Sequence, residues 1–75
     1  MSVTVTGRVE RRDIGPGAWA LVADDGEAYE LQDPPAELCR TQTPVRVTGE
    51  LRPEVMTVAA IGPVLAVRSF SPLAD

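Results

Sequence analysis

An all-β fold is the class this sequence predicts: a small barrel of five to six strands, with one short helix between the third and fourth. Three observations carry it. Apolar residues alternate with polar ones in two segments, Val3, Val5, Gly7, Val9 and Val45, Val47, Gly49, Leu51, which is the period of a half-buried strand. Asp24-Asp25-Gly26 separates two short apolar runs, as a hairpin requires. At 75 residues the chain has the size of one small domain, in which folding removes only about 60% of the unfolded surface from water. Residues 1–75 therefore read as a single domain, ordered over about residues 2–70, with a fraying end.

The first strand runs over residues 3–12 and ends at the turn formers Asp13-Ile14-Gly15-Pro16-Gly17. Residues 19–23 and 27–31 make the hairpin, for which two registers are open. A two-residue turn at Asp25-Gly26 pairs Val22 with Tyr29 and splits the large apolar residues between faces. A three-residue loop, with Gly26 left-handed as a bulge, pairs Leu21 with Tyr29 and Trp19 with Leu31. The second register gathers Trp19, Leu21, Tyr29 and Leu31 on one face and leaves Ala20, Val22, Ala28 and Glu30 on the other. A one-residue slip exchanges whole faces, so burial of the large set selects it.

Residues 33–40 predict one to two helical turns, with Asp33 as the cap, a proline in the first turn and Leu38 docking inward. The segment Val45-Arg46-Val47-Thr48-Gly49-Glu50-Leu51 echoes Val3-Thr4-Val5-Thr6-Gly7-Arg8-Val9. Each strand carries a central glycine, a residue that lets a strand bend where a small barrel turns a corner. After Pro53, residues 55–60 are apolar without alternation, and a strand of their own there stays open. Residues 64–70 form the final strand, with Leu65 and Val67 inward.

Composition excludes much of the chemistry a small domain performs. Histidine is absent, and all seven basic residues are arginines: Arg8, Arg11, Arg12, Arg40, Arg46, Arg52 and Arg68. The commonest general base, the phosphate-loop lysine and histidine-containing zinc sites are thereby removed. The net charge of -4 has the wrong sign for a domain living on phosphate backbones. Cys39 is the only cysteine, a usage that fits a reducing cytoplasm. The first residues lack a charged, apolar leader, and no run of apolar residues is long enough to span a bilayer. Asp24-Asp25-Gly26 lacks the alternating oxygen ligands and terminal glutamate of a calcium loop and is accounted for as a turn. The reading is a cytoplasmic protein with no catalytic residue, metal site, cofactor or membrane segment.

The order of three strands, a helix and two or three strands, carried by Val5-Thr6-Gly7-Arg8-Val9, Asp24-Asp25-Gly26 with Tyr29 and Leu31, and Val45-Arg46-Val47-Thr48-Gly49, resembles the OB-fold, a five-stranded Greek-key barrel that binds oligonucleotides and oligosaccharides. The chain is similar to small single-domain bacterial OB-like proteins without an assigned role. Glycine-bearing strands and a hairpin also suit an SH3-like barrel. The OB resemblance implies that the first strand pairs with the fourth, which is expected to bring Arg8 and Glu10 beside Arg46 and Glu50 as cross-strand charge pairs. It also implies a ligand platform on strands two and three.

On that platform the outward row Ala18, Ala20, Val22 and Ala28, beside Glu30, is a smooth apolar patch where solvated strands usually place Thr, Lys or Glu. It is the candidate contact face for a protein partner or for self-association, the leading functional expectation. The alternative is weak binding of single-stranded nucleic acid through Arg11, Arg12 and Arg52 at the loops after strands one and four. A small enzyme ranks last.

Overall fold

The computed structural model describes residues 2–15, 17–55 and 61–73. Among them stand five strands, β1 (Ser2–Arg12), β2 (Ala18–Ala23), β3 (Ala28–Gln32), β4 (Val45–Leu51) and β5 (Val64–Pro72), with a single turn of helix, α1 (Ala36–Cys39), between β3 and β4. The strands close into a barrel in the order β1-β2-β3-β5-β4, an all-β architecture of the OB-like or SH3-like kind. Every pairing is antiparallel except β3 with β5, which is parallel.

Closure depends on β1 serving two neighbours. Ser2 to Gly7 pair with β4, and Gly7 to Arg12 pair with β2, so the strand passes from one partner to the other at Gly7. There the backbone of β2 comes so close that a Cβ on Gly7 would collide with the carbonyl of Val22. Gly49 repeats the arrangement on the neighbouring strand β4, where it lies opposite Val3 of β1. The β4–β5 register shifts between Thr48 and Gly49, and a Cβ on Gly49 would strike the carbonyl of Ala66. At both glycines the backbone of a neighbouring strand approaches closely, one reason a strand carries glycine, and at Gly49 the register also shifts.

The hairpin adopts the three-residue register: Leu21 lies opposite Tyr29, Ala20 opposite Glu30 and Val22 opposite Ala28. Ala23 N–H donates to the Glu27 carbonyl at 2.7 Å, Gly26 N–H donates to the Ala23 carbonyl at 2.9 Å, and Gly26 has a φ of 94°, the left-handed conformation that the bulge requires. Asp25 Oδ1 accepts from Glu27 N–H at 2.9 Å, so this carboxylate holds the turn together.

Inside the ring Val5, Leu21, Leu31, Val45, Val47 and Leu65 pack with Leu38 of α1. Leu38 has no exposed surface and belongs to this core. Trp19, Tyr29, Val67 and Phe70 pack against this core while remaining half-buried. Two expectations are corrected. Asp33 does not cap the helix: it takes a left-handed φ of 50°, and Pro35 occupies the N-cap position without a side-chain bond. A connection this short must reverse direction before the helix begins, and Asp tolerates that conformation better than most residues. Nor do Arg8 and Glu10 face Arg46 and Glu50. The β1–β4 ladder ends at Gly7, so Thr6 lies opposite Arg46 and Ser2 opposite Glu50, while Arg8 and Glu10 face Val22 and Ala20 on β2. Of the apolar segment 55–60, only Val55 lies among the described residues, outside any strand. Among those residues no helix is long and apolar enough to cross a membrane.

Candidate functional site

The outward rows of the β1–β2–β3 sheet follow from the registers. Arg8, Val22 and Ala28 form one row, and Glu10, Ala20, Glu30 and Val64 form the next. The second row is not open. Ala20 has no exposed surface, Val64 keeps 5% and Glu30 8%. Ala20 lies opposite Glu10 and Glu30. Glu30 is itself flanked by Ala20 and Val64 and takes part in further interactions within the chain. Of the expected contact row, Ala20 and Glu30 are therefore withdrawn as surface, while Ala18, Val22 and Ala28 stay half-buried at its two ends.

One exposed apolar residue lies outside the set selected from the sequence. Ile14 is 40% exposed, the large apolar side chain most open to solvent among the described residues. It stands on the loop leading into Ala18, in a tight turn closed by Gly17 N–H donating to the Ile14 carbonyl at 3.0 Å, with positive φ at Gly15 and Gly17. The available signal was an isoleucine set among turn formers, where a polar residue is the ordinary choice.

The three arginines of the alternative site do not converge. Arg11 and Arg12 are successive residues of β1, so their side chains leave opposite faces of the strand. Arg11 lies over the Trp19 ring at 6.0 Å from its centroid, and its Nη2 stands 3.9 Å from Asp13. Arg12 Nη2 lies 3.5 Å from Glu10, and its Nε is buried without a hydrogen-bond partner. Arg52 is exposed beyond β4, where its backbone N–H donates to the Val64 carbonyl at 2.8 Å. Arg8 turns elsewhere and donates to the Gln42 carbonyl at 3.2 Å. Trp19 and Tyr29 both pack against the core and are half-buried.

Two of the grooves on the described surface bear on the candidate residues. The larger, of 240 Å³, is bordered by Thr4, Thr6, Ala23, Asp24, Asp25 and Tyr29; its acids belong to the hairpin turn. The smaller, of 170 Å³, lies between β4 and β5 and is lined by Arg46, Thr48, Ser69, Phe70 and Ser71. Cys39 is half-buried, and desolvation raises its pKa, so at neutral pH it is a protonated thiol rather than a nucleophilic thiolate. Among the described residues no group of three Cys, Asp or Glu side chains is placed to hold a metal ion. The chain matches no protein-family model, no curated protein and no solved structure.

Proposed function

We propose that this chain is a non-catalytic binding module of the OB-fold type that docks onto protein, either a second copy of itself or another chain. The pairing of β1 with β4 and the helix between β3 and β4 support the OB reading over the SH3-like one. The docking face joins the Ile14 tip to the half-buried Ala18, Val22 and Ala28. The observation that carries the proposal is Ile14 itself: an aliphatic side chain is held 40% exposed by a tight, hydrogen-bonded turn, where burial against a partner returns apolar surface to a dry environment at little ordering cost. Arg11 and Arg12 already stand beside Asp13 and Glu10, and the net charge is negative; both weigh against nucleic acid as the main ligand. A cytoplasmic location belongs to the same proposal and is supported by the lone Cys39.

Light scattering across a concentration series, with a pull-down on the immobilised chain, tests it. The parent chain is expected to exceed its monomer mass of 8.0 kDa or to retain a specific protein. Ile14→Asp is expected to fold normally and to weaken that association about tenfold, equivalent to ~1.4 kcal/mol. Val22→Glu is expected to act in the same direction. A strict monomer that retains no protein overturns the proposal, as does an Ile14→Asp variant that associates like the parent. Tight binding of a labelled oligothymidine, with a steep salt dependence, replaces it with the nucleic-acid reading.

A further inference from the structure

On the opposite side of the barrel the outward faces of β1, β4 and β5 carry a different chemistry. The registers place Thr4 opposite Thr48 and Thr48 opposite Ser69, and in the adjoining row Thr6 opposite Arg46 and Arg46 opposite Ser71. Two rows across three strands thus carry five hydroxyls and one guanidinium; Thr48, Ser69 and Ser71 line one groove with Arg46, whereas Thr4 and Thr6 border the groove that also holds Asp24 and Asp25. Neither row contains a carboxylate, although the chain holds eleven acidic residues. The β4–β5 irregularity contributes to this. Thr48 pairs with Ser69 and Gly49 with Val67, leaving Arg68 as the extra residue, and Arg68 Nη1 stands 3.8 Å from Glu50. Glu50, the nearest acid along the outward face of β4, is therefore engaged one row away. Arg46 is exposed and, among the described residues, has no ion-pair partner.

The groove of 170 Å³ lined by Arg46, Thr48, Ser69, Phe70 and Ser71 opens where these rows meet. From the unpaired guanidinium and the converging hydroxyls we infer that this groove is a binding site for a phosphate group. A guanidinium offers parallel N–H donors that match two oxygens of a tetrahedral anion. Serine and threonine hydroxyls rotate to donate to the remaining oxygens. Thr48 Oγ1 lies 3.3 Å from Thr4 Oγ1; with Thr4 donating, the Thr48 hydroxyl proton is directed to the ligand, and Thr4 acts as a positioning residue. The volume equals several water molecules at ~30 Å³ each, enough for the anion and the first atoms of an ester carrying it. The face is separate from the Ile14 surface, so the site stands or falls independently of the protein-docking reading.

The test is an NMR titration of the intact chain with inorganic phosphate and, separately, with glycerol 3-phosphate. The pH is held where the phosphate is mainly dianionic, and ionic strength is matched with sodium chloride. The site predicts saturable shifts, in the millimolar range or tighter, of the Arg46 side-chain Nε–H and of the Thr48, Ser69 and Ser71 amides. Arg46→Gln should remove them, Thr48→Val should weaken binding severalfold, and Arg40→Gln, another exposed arginine, should leave it unchanged. Tighter binding of glycerol 3-phosphate assigns the site to a phosphate ester, and equal binding assigns it to the free anion. Shifts that sodium chloride reproduces, that do not saturate, or that persist in Arg46→Gln overturn the proposal. Because Arg46 is exposed, its replacement is not expected to disturb folding, and an unchanged backbone spectrum of the variant checks this.

Discussion

At Gly7 and Gly49 a single missing methyl group permits the barrel to close. Each added Cβ would meet a backbone carbonyl of the neighbouring strand, and backbone yields less readily than the end of a flexible side chain. Gly7→Val and Gly49→Val are therefore expected to destabilise by about 2 kcal/mol or more, as overpacking does, although valine is the better strand former. Urea unfolding measures it; stabilisation by both would mean that these strands are not held so close together. Cys39 gives a second prediction at this scale. Desolvation raises its pKa in the folded state, so above the ordinary thiol range the unfolded chain ionises first, and stability falls as pH rises. Below that range the thiol is protonated in both states and contributes no slope. Parent and Cys39→Ala chains compared at pH 7 and pH 10 are expected to show the parent losing more stability than the variant over that interval.

Among the elements, the β2–β3 hairpin decides where the large side chains go. Its register puts Leu21 and Tyr29 in one cross-strand pair, with Trp19 on the same side of β2, half-buried and packed against the core. Tryptophan emission is expected to be blue-shifted from that of the unfolded chain. Trp19→Ala is expected to cost about 3 kcal/mol, the low end for a large aromatic because the ring is not fully buried. Emission unchanged by unfolding would refute this placement. On the other side of the same hairpin the alanines do not form a smooth outer patch. Facing outward on a strand is different from being exposed: Ala20 keeps no exposed surface and Glu30 only 8%.

For the molecule as a whole, the stability of so small a domain depends on few contacts. Leu38 is the only core residue supplied by the helix, and it is completely buried. Leu38→Ala is expected to cost about 3 kcal/mol, a large share of the ~5 kcal/mol that a single small core supplies. Thermal melts of the variant measure it, and a loss below about 0.5 kcal/mol would mean that Leu38 is not packed into the core. The ion pairs contribute little by comparison. Arg11–Asp13, Arg12–Glu10 and Arg68–Glu50 span 3.5 to 3.9 Å between partly or largely exposed side chains, the kind of pair that water and salt screen.

The strands, the order of the elements and the inward set of apolar residues were legible in the amino-acid sequence because they depend on a period of two and on local turn chemistry. Asp24-Asp25-Gly26 specifies its hairpin register through Gly26 and the Asp25 cap, interactions that span only a few residues. The exposure of each outward residue was not legible, because it depends on side chains from strands distant in sequence. The ladder between β1 and β4 stops at Gly7, so the expected charge pairs never meet, and Thr4, Thr48 and Ser69 line up in one row beside Thr6, Arg46 and Ser71 in the next. No local pattern announces that cluster. Its members lie on three strands separated by up to 67 positions in the chain, and only closure of the barrel, with one irregularity at Thr48 and Gly49, brings them to one face.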